Sequence, residues 1–286
     1  MRSVAPERPI PPIALEVLRH VDRATREFAA DYLVAGAMAR DILLYGVFGL
    51  DPGRATLDLD LAVAVETWPQ FDAIKVRLVE TGAFAETRRA PHRLVYRAAP
   101  DQRDYTLDLL PFGGVEAPPG TIAWPPEFSI VMSVTAYREA LAEAEAVEVA
   151  PGFVVRVTSL PGLAVLKLLA WRDRGAQDPR DAVDLATLLR LYASAGNEDR
   201  LLTTELDLLE AANYDLDLAG PRLLGKDSSR IVTAATRRIV VSLLDDAAHR
   251  YRLVSGMARA CRGAEDPVAA AEALIDQFAA GFRAGL

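Results

Sequence analysis

The pattern of hydrophobic positions along the chain changes character once, near residue 158. Before that point helical and strand-like runs alternate; after it the helical period recurs alone. Leu15, Val17, Leu18, Val21 and Phe28 predict an amphipathic helix over residues 13–30. An apolar run over 32–37 reads as the first strand, with a helix behind it over 38–45. Gly49, Pro52 and Gly53 mark residues 46–54 as a loop. Strict alternation over 57–65 predicts the second strand, and the run from Trp68-Pro69 to Glu80 a helix that Gly82 ends. Residues 84–112 are strand-rich. One strand there spans 92–97 and, after a turn at 100–103, another spans 105–110, stopped by Pro111 and Gly113-Gly114. Pro-rich loops follow, then an Ala/Glu-rich helix over 136–146 and short strands including 153–157. Beyond Pro161 come helices, among them 198–212, 234–250 and 264–282, with a turn at 223–227 leading into another.

The alternating strand carries the first chemistry. Leu57, Leu59 and Leu61 leave one face, and Thr56, Asp58 and Asp60 the other. Two carboxylates on one face of a buried strand repel each other, and a divalent cation or a basic partner relieves that cost. An oxygen-rich pair of this kind suits Mg²⁺, or Mn²⁺ in its place, holding the phosphates of a nucleotide. On the strand at 105–110, Thr106 and Asp108 share a face opposite Tyr105, Leu107 and Leu109. A strand-edge aspartate facing water explains Asp108 simply. Its bracketing by Pro and Gly instead suggests the end of a strand at an active site.

A second anomaly lies where the helices begin. Ser159 and Pro161 signal a helix start, and the turns that follow are apolar except for Lys167. Its helical neighbours are Leu163, Ala164, Ala170 and Trp171, so its ammonium must snorkel out or meet a carboxylate or a phosphate. The functional reading is a lysine that neutralises charge on a transferred nucleotide. In the next helix Asp178, Pro179 and Asp181 read as an N-terminal cap. Asp184, a turn deeper beside Leu185 and Leu188, can point inward to Lys167 or Arg172, and an ion pair would explain both residues without chemistry.

At 286 residues the expected organisation is a flexible lead over 1–12, an α/β domain over 13–158 and a helical domain over 159–286. No apolar run approaches the about 18 residues of a membrane span, and the N-terminus lacks a secretory core. The single cysteine, Cys261, excludes a disulfide framework and a cysteine-based zinc site; cytoplasm is the natural location. His20, His92 and His249 have no ligand spacing, and Leu223-Leu224-Gly225-Lys226-Asp227 lacks the spacing of a P-loop. A net charge of −8 opposes a general nucleic-acid coat but leaves room for a local patch. The basic runs, Arg88-Arg89-Ala90-Pro91-His92-Arg93 and Arg237-Arg238, read more simply as solvated faces.

A strand ending in the small residues Gly36-Ala37, a helix after it, and Asp58-x-Asp60 on the next strand together resemble the polymerase-β-type nucleotidyltransferase signature. Gly36-Ala37 to Arg40-Asp41 also resembles the Gly-Gly-x-x-Arg-Asp turn of tRNA-end-adding enzymes, with Ala37 where that family has Gly or Ser. Lys167-x-x-x-x-Arg172 followed by Arg180-Asp181-x-x-Asp184-Leu185 is similar to the C-terminal motifs of AbiEii-type and MenT-type nucleotidyltransferases, which include toxins of toxin–antitoxin pairs. The resemblance covers roughly residues 30–192. It implies an α+β fold: a mixed sheet flanked by helices, then an all-α bundle that completes the active site. It implies catalytic residues Asp58, Asp60, Asp108, Lys167 and Asp184, with metal on Asp58, Asp60 and Asp108. Gly36, Ala37, Arg40, Arg54, Thr56 and Arg172 would contact the nucleotide. An NTP would be the substrate, a tRNA 3′ end or a protein the acceptor, and an antitoxin the partner. Two alternatives stay open: a non-catalytic binding module of the same fold, which Ala37 favours, and nucleotide transfer to a small hydroxylated drug.

Overall fold

The computed structural model describes residues 1–53, 56, 58–87, 90–97, 104–175 and 178–285. They form two units: Met1–Val47 with the described part of Arg54–Thr158, and Phe48–Gly53 with the described part of Ser159–Leu286.

The first unit runs β1 (Arg2–Ser3), α1 (Pro12–Glu27), β2 (Asp31–Ala35) and α2 (Gly36–Asp41), which continues as a π-helical segment, Ile42–Val47. Then come β3 (Asp58–Val65), α3 (Trp68–Glu80), β4 (Phe84–Glu86), β5 (Arg93–Tyr96) and β6 (Tyr105–Gly113). A small hairpin, β7 (Thr121–Ala123) with β8 (Val131–Ser133), precedes α4 (Tyr137–Ala142), β9 (Glu145–Ala150) and β10 (Phe153–Val157). The main sheet is mixed, in the order β1-β9-β10-β2-β3-β6-β5-β4. β3 and β6 are parallel neighbours near its centre, whereas β2 meets β3, and β5 meets β6, antiparallel. Leu59 and Leu61 of β3 and Leu107 and Leu109 of β6 are all buried, so the apolar face of the predicted alternation packs inward. Thr67 opens α3 by accepting the Gln70 N–H at 3.3 Å.

The second unit is helical: α5 (Leu160–Arg174), α6 (Arg180–Leu191), α7 (Glu198–Leu202), α8 (Leu206–Ala211), α9 (Leu216–Ile231), α10 (Ala234–Asp245), α11 (Ala247–Met257) and α12 (Pro267–Ala284). The mixed sheet with flanking helices and the all-α second half agree with the expected fold class.

Several expectations need correction. Residues 1–12 are not a wholly flexible lead: Arg2 and Ser3 pair parallel with Val147 and Glu148, and the Val4 and Ala5 amides donate to Glu148 and Gly46 carbonyls at 2.9 Å. Such pairing to a strand far along the chain leaves no local periodicity. The helix expected over 136–146 stops at Ala142, because Val147 and Val149 bury as alternate residues of β9. Strand β6 passes through Pro111. Strand β5 covers β6 only over Tyr105–Asp108, so Pro111 lies where, among the described residues, β3 is the one bordering strand and the missing N–H costs little. The single helix expected over 198–212 is two short ones, α7 and α8. Residues 223–227 are no turn. Gly225 sits mid-helix in α9, where a Cβ would collide with the Phe278 carbonyl, and Gly281 of α12 is as close to Arg222. Each glycine therefore serves close helix approach there, despite its poor helix propensity.

Candidate active site

Strand register builds the site in the first unit. Asp58 and Asp60 leave the same face of β3, both half-buried. Asp60 stands opposite Ala35 of β2 on one side and Asp108 of β6 on the other, and Asp108 stands opposite Arg93 of β5. In-register neighbours share a face, so Asp60, Asp108 and Arg93 form one row across three strands. Arg93 grips Asp108 with both arms, Nε to Oδ1 at 2.7 Å and Nη2 to Oδ2 at 2.8 Å. These bonds raise the Arg93 pKa against partial desolvation, and the charges of Asp58 and Asp60 act in the same direction. His92 Nε2 lies 4.0 Å from Asp108 Oδ1; burial lowers its pKa, with Asp108 opposing and Arg93 and Lys75 assisting. Tyr105 donates its hydroxyl to the backbone carbonyl of Asp58 at 3.3 Å. Burial, then the charges of Asp58, Asp60 and Asp41, push that phenol well above its ordinary pKa.

Gly36 closes this row. Its φ is +61°, a left-handed conformation, and a Cβ there would run into the Asp60 carboxylate and lie 2.9 Å from the Asp60 Cβ. The Asp60 Cβ itself, at 2.9 Å, is nearer than real Cβ contacts come, so rotation of the Asp60 carboxylate alone cannot make room. Gly36→Ala is expected to cost about 1–2 kcal/mol from the backbone conformation alone and to displace Asp60. Chemical denaturation checks the first effect and nucleotidyl transfer the second. An alanine variant with wild-type stability and rate would contradict this packing.

Other expected nucleotide contacts are placed differently. Ala37 is buried at 5% exposure. Arg40, at 1%, lies on the half-buried Asp41, donating to Oδ1 from Nε at 2.8 Å and from Nη2 at 2.6 Å. Arg54 lies outside the described residues. Thr56 is buried, and its Oγ1 has no hydrogen-bond partner among the described residues, which leaves a polar atom in need of one beside the aspartate strand.

In the helical unit Lys167 meets carboxylates. Its Nζ is 2.7 Å from Asp184 Oδ2 and 3.0 Å from Asp181 Oδ1. Arg174 adds Nε to Asp181 Oδ2 at 2.6 Å and Nη2 to Oδ1 at 3.0 Å. Lys167 and Arg174 thus sit on two buried carboxylates, and the Lys167–Asp184 ion pair that the sequence leaves open beside the phosphate-facing reading is present. Burial acts to lower the Lys167 pKa, but Asp184 and Asp181 outweigh it and hold the pKa above its ordinary value. For Asp181 burial acts upward, and Lys167 and Arg174 outweigh it downward. Asp181 is therefore no cap. The Arg180 amide donates to Asp178 at 3.0 Å, and the Arg180 guanidinium helps hold the Asp178 carboxyl down at about 2. Arg172 pairs with its neighbour Asp173 at 2.6 Å.

The three-carboxylate metal set is not assembled as expected. Among the described residues no group of three His, Cys, Asp or Glu side chains is placed to hold a metal ion, and both oxygens of Asp108 are engaged by Arg93. Asp58 and Asp60 remain as a pair on one face. Arg93 carried no role in the sequence reading beyond its place in a basic run. The signal was present: reflecting the strand at 105–110 about the turn predicted at 100–103 sets Asp108 against residues close to Arg93.

Residues 19–252 match the model of the family described as nucleotidyl transferase AbiEii toxin, Type IV TA system. The chain belongs to the AbiEii family. It is a nucleotidyltransferase, and the likeness read from the turn, the Asp-x-Asp strand and the lysine helix holds at the level of the family. Two similar solved structures are both of the antibiotic-resistance factor ANT(2″)-Ia. Its crystal structure in complex with adenylyl-2″-tobramycin is 17% identical over 70% of this chain and 96% of that one, with a TM-score of 0.39. Its solution structure is 15% identical over 72% and 99%, with a TM-score of 0.41. A comparison with curated proteins finds no match. Among the described residues of this AbiEii chain no helix is long and apolar enough to cross a membrane.

Proposed function

We propose that this AbiEii nucleotidyltransferase moves a nucleoside monophosphate from an NTP to an RNA hydroxyl, a tRNA 3′ end, as the toxin of a toxin–antitoxin pair. The toxin role rests on the family, and the RNA acceptor on the Gly36–Asp41 turn that resembles tRNA-end-adding enzymes. The observation that carries the chemistry is the pair Asp58 and Asp60, half-buried on one strand face, with Gly36 set so tightly on Asp60 that a Cβ has no room.

That pair suits a divalent cation, Mg²⁺ or Mn²⁺: two hard oxygen donors share a face and need a counter-charge. When bound, such an ion neutralises triphosphate charge and polarises the α-phosphate. The chain's own residues supply the rest. Gly36 keeps backbone close to Asp60 and fixes where its carboxylate points. Asp108, beside Asp60, is the base for the attacking hydroxyl once Arg93 releases it. The acceptor oxygen bonds to the α-phosphorus, the bond to the pyrophosphate oxygen breaks, and the hydroxyl proton passes to Asp108.

Label transfer tests this reading. Protein, Mg²⁺ and each α-labelled NTP are incubated with total tRNA, with a hydroxylated aminoglycoside, and with neither. Label on RNA is the expected outcome, and the NTP that donates it fixes the base. Label on the small molecule alone would replace the RNA acceptor, label on protein would redirect the search to a side chain, and no transfer would refute the proposal.

A further inference from the structure

We infer that Arg93 is the positioning residue of the aspartate row: it holds Asp108 out of use and competes with a cation for the negative charge of Asp58, Asp60 and Asp108. The inference rests on the metal reading of Asp58 and Asp60 given above.

The geometry argues against a merely structural pair. A cross-strand ion pair adds only about 0.2–1 kcal/mol to a sheet, and the Arg93 side chain is 42% exposed, which weakens it further. The electrostatic demand is larger. Three carboxylates stand on one face of two adjacent strands, Asp58 and Asp60 on β3 and Asp108 in register on β6. Like charges so placed raise one another's cost of ionisation. Arg93 is the guanidinium in register with them. Both its hydrogen-bonding arms are spent on Asp108, and its charge is felt by Asp58 and Asp60 as well.

Two consequences follow. While Arg93 is seated, Asp108 has both oxygens occupied by donors and is a poor proton acceptor. A divalent cation brought to Asp58 and Asp60 meets the field of a guanidinium one strand beyond Asp108, so cation and Arg93 disfavour each other, and the coupling is reciprocal. Lys75 and His92 also face this region. Lys75 is turned to the Pro91 carbonyl at 2.9 Å and to Glu86 at 3.2 Å, and His92 stands 4.0 Å from Asp108. Neither makes the two-armed contact to Asp108 that Arg93 makes.

The test is Mn²⁺ binding to the full chain, followed by electron paramagnetic resonance without nucleotide. Arg93→Gln removes the guanidinium and frees Asp108, and is expected to bind Mn²⁺ about tenfold more tightly than the wild type. Arg93→Lys keeps a charge and should stay close to wild type. Asp108→Asn leaves Arg93 facing Asp58 and Asp60 uncompensated, and should bind more weakly; it keeps the inference testable should Arg93→Gln fail to fold. Unchanged or weaker binding in a folded Arg93→Gln, or unchanged binding in Asp108→Asn, would overturn the inference. Asp58→Asn separates this from the reading beneath it. If that variant binds Mn²⁺ like the wild type, the metal site itself is misplaced. If it loses binding while Arg93→Gln is unaltered, only the role of Arg93 is refuted.

Discussion

Lys167→Met is expected to lower the stability of the protein by about 3–5 kcal/mol, because it takes a buried positive charge away from two buried carboxylates. Asp184 is fully buried, with Lys167 Nζ at 2.7 Å, and the same Nζ lies 3.0 Å from the nearly buried Asp181. One substitution therefore removes a positive charge from two buried carboxylates at once. Replacing both members, Lys167→Met with Asp184→Leu, should restore much of the loss, since an apolar pair of similar volume avoids the desolvation of two charges. Urea denaturation measures both. A loss below about 1 kcal/mol in the single variant, the range of an exposed pair, would mean that the cluster is wet and weak.

The same cluster sets a pH dependence. The Asp181 carboxyl is held below its unfolded value of about 3.9, so its contribution is complete above that value and is lost as pH falls through the lower folded one. Lys167 is displaced upward, so its contribution is complete below about 10.4 and is lost as pH rises through the higher folded value. Stability from the cluster should therefore be flat across neutral pH and decline at both extremes, with the acid decline shallower in the Lys167 variant.

Asp58→Asn and Asp60→Asn should each reduce nucleotidyl transfer by about 10³-fold, equivalent to about 4 kcal/mol of transition-state stabilisation. Both side chains are half-buried and polar, so the amides should fold, and circular dichroism with a thermal melt separates lost chemistry from lost structure. The two effects should not add in the double variant, because residues that act as one unit share a single loss. Retention of more than a tenth of the wild-type rate in either single variant would remove that aspartate from the chemistry.

Legibility in the sequence followed the range of the force responsible. Helices α1, α3 and α5 and strand β3 are visible because their burial repeats within a few residues, and Ser159 announces a helix start through a local hydrogen bond. The alternation that put Asp58 and Asp60 on one face needed no partner strand. Information carried between distant segments was lost. Period alone cannot tell that Pro111 borders a single strand, or that Gly225 faces the backbone of Phe278 instead of a turn. Lys167 is the instructive case: its apolar neighbours required a partner for its charge, and a carboxylate satisfies that requirement as well as a phosphate does. Local spacing leaves both open and gives Asp181 only a capping role, because the approach of α6 to α5 that seats Asp181 on Lys167 is not a local property. Arg93 escaped because its meaning depends on the register with β6.

Strand β1 has a last consequence. Two residues, Arg2 and Ser3, with the Val4 amide beyond them, occupy hydrogen-bonding groups along the outer side of β9. A β9 left bare would present the amides and carbonyls of a valine-bearing segment to any other extended chain, the usual template for aggregation. Arg2 and Ser3 thus cover part of a strand that would otherwise be open to such pairing.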